Sequence, residues 1–212
     1  MSRRLAGAVL ALMFAGSAGG GVLAIRNKPQ ASNAPKSSPE AAAAAALNNG
    51  LKKLAKADRI ETKNPNQARS EYESALKDFE SAAAAAPDNY RAHNGAGYSL
   101  RKLGHYDRAL VSYDRALTLA PTSPEAIEYR AEAYLGLNRL SDAKQAYMHL
   151  FVHDRMASSV LMKAMKDWVA THRAQPGGVE PSAIDAFDAW VRERDTLASS
   201  VVNLGHNSPD WK

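Results

Sequence analysis

A recurrence at 34 residues constrains this chain more than any other feature. Ala75, Ala109 and Ala143 are spaced by that interval, as are Phe79, Tyr113 and Tyr147, and Tyr72, Tyr106 and Leu140. Ala82 is answered by Ala116 and Pro87 by Pro121, while Ala96, Gly97 and Leu100 are matched by Arg130, Ala131 and Tyr134. A unit of this size cannot bury an apolar face alone, so successive units must stack into a shared core. Within a unit the periodicity is helical. "DRALVSYDRALTLAP" at 107–121 spaces its apolar residues three and four apart and stops at a proline, which lacks the amide a continuing helix needs. Small side chains let paired helices approach closely, and the aromatic column fills the space beside them. Gly104 and Asn138 fall at equivalent turns, and both types tolerate the left-handed conformation that ends a helix.

These columns resemble the tetratricopeptide repeat, a 34-residue helix–turn–helix with small residues at its eighth, twentieth and twenty-seventh positions and a proline near its thirty-second. With Tyr90 as the first position, Gly97, Ala109, Ala116 and Pro121 match all four. With Pro124 first, Ala131 and Ala143 match, whereas Leu150 and Arg155 depart. The resemblance implies an all-α helical repeat solenoid of about three helix–turn–helix repeats over 41–155, followed by C-terminal capping helices and a tail over 156–212.

The ends of the array are less regular. Leu54 stands 21 residues before Ala75 where the repeat spacing asks for 9, so about 12 residues are inserted, with "ETKNPNQ" at 61–67 holding the break. Beyond the repeats, Val160, Leu161, Ala164, Met165 and Trp168 share a helical face. After "QPGGVEP", Ser182 with Asp185 resembles a capping box opening a helix with Ile184, Phe187, Val191 and Leu197 inward.

Ahead of the repeats, Arg3 and Arg4 precede a stretch without charge from Leu5 to Ile25, the pattern of a secretory signal peptide or an N-terminal membrane anchor over 1–25. Residues 26–40 hold three prolines among Ser, Asn and Lys and read as a flexible linker. This order predicts an exported protein, periplasmic or otherwise in the cell envelope, with its folded part held off any membrane that anchors it. The complete absence of cysteine excludes disulfides, thiolate metal sites and a cysteine nucleophile.

Catalytic motifs are missing. His149 and His153 have the spacing of a chelating pair, but Leu-Phe-Val lies between them and supplies no general base, so no metal or other cofactor is expected. "GAG" at 95–97 lacks the third glycine and the preceding strand of a dinucleotide site. The 27 basic and 22 acidic residues are interspersed, which argues against a nucleic-acid partner. The tryptophans and tyrosines fall mostly at core-facing spacing, with Trp211 in a polar tail as the exception. The chain therefore reads as a binding scaffold and not an enzyme. The rivals are a metal-dependent envelope enzyme built on the C-terminal helices and a structural subunit that self-associates through them.

In the family, the second, fifth, ninth and twelfth positions of each first helix line a concave groove for a protein or peptide partner. Carried over, these are Arg91, Asn94, Tyr98 and Arg101 in one repeat and Glu125, Glu128, Glu132 and Leu135 in the next. The three glutamates depart from the Lys and Asn clamp of chaperone-binding members, which holds a C-terminal carboxylate. Two readings remain. Either the charges receive a ligand, and reversing Glu128 and Glu132 leaves the melting temperature unchanged, or Arg91 and Arg101 simply pair with the glutamates.

Overall fold

The computed structural model describes residues 38–206. The segment expected as signal peptide or anchor over 1–25, most of the linker and Trp211 lie outside them. Among the described residues no helix is long and apolar enough to cross a membrane.

Among the described residues eight helices pack as four consecutive hairpins: α1 (Pro39–Ile60) with α2 (Pro65–Ala85), α3 (Tyr90–Lys102) with α4 (Tyr106–Leu119), α5 (Pro124–Gly136) with α6 (Leu140–His153), and α7 (Arg155–Ala174) with α8 (Pro181–His206). Local chemistry sets the starts. Asn64, Asn89, Ser123 and Asp154 each accept a backbone N–H of the following helix, and prolines occupy the first turns of α1, α2 and α5. Gly104 and Asn138 take the left-handed conformation expected of them, at φ 82° and 57°.

The repeat columns form the core. Ala75, Ala109 and Ala143 are wholly buried, as are Phe79 and Tyr113, with Tyr147 nearly so. The insertion in the first unit lengthens both of its helices to 22 and 21 residues, against 13 and 14 in the second. These extra turns face each other, joined by Lys56 to Glu71 at 2.5 Å and by the Tyr72 hydroxyl donating to Asp58 Oδ1 at 2.7 Å.

At the other end, Leu150 replaces the small residue of the earlier units and joins Leu161, Met165, Trp168, Phe187 and Val191 in one apolar cluster. α7 and α8 are thus a fourth hairpin packed through larger side chains, and α7 continues the row of first helices. Two inward assignments from the sequence are overturned. Val160 and Leu197 are exposed, because α7 and α8 turn them away from that cluster. α8 starts at Pro181, and Asp185 pairs with Arg173 of α7 at 3.1 Å.

Candidate functional site

The first helices α1, α3, α5 and α7 stand side by side and line one face of the stack. Of the eight sequence-derived residues all but Leu135 lie on this face, and these seven divide into two groups along it. Toward the C-terminal ends of the helices the charges pair with one another, although the buried Arg101 Nε has no partner among the described residues. The Arg101 guanidinium donates to Glu132 across the α3–α5 gap and lies over the rings of Tyr98 and Tyr129, at 4.9 and 5.4 Å from their centroids. Lys102 pairs with Glu61 at 2.5 Å, and the Tyr98 hydroxyl donates to Asp58 Oδ1 at 3.0 Å. Leu135 is buried, its carbonyl accepting the Trp168 indole N–H at 3.0 Å, so it faces α7 and not a groove.

Toward the N-terminal ends the polar groups are open. Arg91 and Glu125 are exposed and make no ion pair among the described residues. They border a cavity of about 180 Å³ together with Asn94, Tyr98 and Tyr129. Asn94 is only 9% exposed, yet its Oδ1 has no hydrogen-bond partner. A buried amide oxygen left unpaired costs about 1–3 kcal/mol.

Glu128 departs furthest from the sequence expectation. It is 6% exposed and not a solvated groove charge, because α7 covers the flank of α5 that the second-to-twelfth pattern leaves open. Burial, a hydrogen bond to Glu132 and that carboxylate's charge push its pKa up to about 9. That shift favours a protonated Glu128 carboxyl beside Glu132, which is itself held by Arg101.

The sign of the consequence is fixed by linkage. A group whose folded pKa lies above its unfolded value contributes stability that is full below the unfolded value and is lost as pH rises toward the folded one. Between about 4.5 and about 9 this group therefore lowers stability as the pH rises. Glu128→Gln, neutral at every pH, should melt with the wild type near pH 4.5 and above it at pH 8. Thermal denaturation at the two pH values checks this, and coincident melts at pH 8 would contradict it.

Models of the tetratricopeptide repeat match residues 67–124 and 100–157. Residues 67–157 belong to the tetratricopeptide repeat family. The two matches take in α2 to α6, the helices that carry the aligned alanine and aromatic columns. A comparison with curated proteins finds no match. Tetratricopeptide repeats generally mediate protein–protein interactions.

Sequence reasoning missed Asp58, Tyr90, Tyr129, Met156 and Val160. Asp58 lies in the insertion, Tyr90 and Tyr129 stand one residue off the groove pattern, and Met156 and Val160 follow the point where the repeat signature lapses. His149 and His153, the spacing-based chelating pair, stack face to face at 4.4 Å on the outer helix α6, and the His153 Nδ1 is in hydrogen-bond contact with the His149 carbonyl. Among the described residues no group of three or more His, Asp or Glu is placed to hold a metal ion.

Proposed function

We propose that this chain is an exported tetratricopeptide adaptor that receives a segment of a partner protein across the N-terminal half of its inner face and supports an assembly in the cell envelope. One observation carries the binding reading: the buried, unpartnered Asn94 Oδ1 beside exposed Arg91 and Glu125 in a cavity shared by α1, α3 and α5. An extended segment laid there supplies backbone N–H groups to Asn94 and either sign of charge to its neighbours. A preformed groove needs no ordering before it binds, which favours capture.

The test is cross-linking capture from native membranes with the full chain. Asn94→Ala should lose the captured partner while keeping the helical circular dichroism signal, and undiminished capture would remove this cavity from consideration. Export is supported by the arginine-flanked apolar stretch. A reporter fused after residue 40 should be translocated, and a cleaved product should begin near Gly19 or Ile25. A wholly cytosolic, soluble full-length product would defeat it.

A further inference from the structure

The inner face has a second cavity, of about 610 Å³, where the N-terminal ends of α3, α5 and α7 meet. Its walls are of two kinds. Met156 and Val160, one turn apart on α7, are 80% and 48% exposed, and the half-exposed ring of Tyr90 stands on the α3 side. Around them are three carboxyl groups, Glu125, Glu128 and Asp154, with no lysine or arginine among the lining residues. Asp154 is occupied as the cap of α7, accepting the Ala157 N–H at 2.8 Å. Arg155, its neighbour in sequence, lies over the Phe151 ring at 3.8 Å. Glu128, more than nine-tenths buried, contributes its carboxyl to this wall and receives no N–H or O–H on Oε1 from the described residues.

We propose that this cavity is a socket for a long cationic side chain, lysine or arginine, carried by the partner segment. The inference rests on the groove reading above and names the chemistry that the groove selects. An apolar side chain would cover Met156 and Val160 but bring nothing to the carboxyl groups of Glu125 and Glu128. An anion meets three acidic groups and no cation. A lysine or arginine stem lies along the apolar wall while its head reaches the carboxyls, the division of labour that such side chains perform at surfaces.

Proton chemistry fits the same occupant. The charged groups facing Glu128 are Glu125 and Glu132 on α5, Arg101 on α3 and Asp154 at the α7 cap. Without a further cation, Glu128 holds a proton, so the socket carries no uncompensated buried charge. A cation brought near the Glu128 carboxyl favours its ionised form, and binding therefore releases a proton. Capture of a cationic segment should tighten from pH 6 to pH 8, where lysine remains charged.

The full chain, purified, is to be applied to a positional-scanning hexapeptide array that includes norleucine as the uncharged match to lysine. Lysine or arginine should be preferred to norleucine at one position by about tenfold, as for a hydrogen bond to a charged group. The preference should vanish in Glu128→Gln, which keeps the shape and removes the ionisable oxygen. Met156→Ser, made at an exposed side chain, should weaken lysine capture roughly threefold by shortening the apolar wall, and it serves if the glutamine variant does not fold. Peptides captured without a cationic preference, with a preference that survives Glu128→Gln, or with lysine capture indifferent to Met156→Ser overturn the socket and leave the groove reading standing. An array on which nothing is captured overturns both.

Discussion

Reversing Glu128 and Glu132 together to lysine should destabilise the protein by about 3–5 kcal/mol, the range for breaking a buried ion pair from one side. Arg101 and Glu132 are both largely covered, and the guanidinium lies against a contacting pair of tyrosine rings. Lysine at 132 removes the carboxylate partner of Arg101 and puts a like charge in its place. Lysine at 128 adds an ammonium where the wild type keeps a neutral, protonated carboxyl. The melting temperature should fall by roughly 10 °C for a chain of this size. Glu125→Lys, at an exposed position outside any pair, should shift stability by less than about 0.5 kcal/mol. Matching melts for the double variant and the wild type would mean that the Arg101–Glu132 pair contributes nothing and would return both glutamates to the ligand surface.

That expectation is the reverse of the one drawn from spacing alone, and the reason is geometric. The groove pattern puts Arg91, Asn94, Tyr98 and Arg101 on one helix face because side chains three and four apart share a side, and the structure has them there. The pattern is silent on neighbours. Arg101 meets Glu132, 31 residues away, and Tyr98 meets Asp58, 40 residues away. Whether a charge is free depends on those distant partners, and Asp58 sits in an insertion that has no counterpart in the other units. The alanine and aromatic columns were legible because close helix approach admits few residue types. The continuation of the inner face into α7 was not, because Leu150 and Arg155 break the signature just before Met156 and Val160 extend the surface.

Phe79 is where that close approach can be tested hardest. Its ring is fully buried and fills a slot whose sides are Gly50 of α1 and Gly95 of α3. A Cβ placed on Gly50 would come within 2.8 Å of the ring, and one on Gly95 within 2.5 Å, closer than real atoms pack. Phe79→Ala should cost about 3–5 kcal/mol, since it empties the contact between the first two hairpins and no small residue nearby can collapse into it. Gly95→Ala sets two effects in opposition. Alanine in a helix interior is favoured over glycine by about 1 kcal/mol, whereas overpacking a filled core costs about 1–3 kcal/mol. The ring is enclosed and cannot swing out, so overpacking wins and the variant melts below the wild type. Combining Gly95→Ala with Phe79→Leu should recover part of that loss, because the smaller side chain vacates the space the new methyl needs. Denaturant titration of the two single variants and the double should give a coupling of about 0.5–3 kcal/mol between the sites. Additive losses, or a Gly95→Ala variant more stable than the wild type, would show that the slot is wider than the structure has it and that the glycines are not what lets these helices meet.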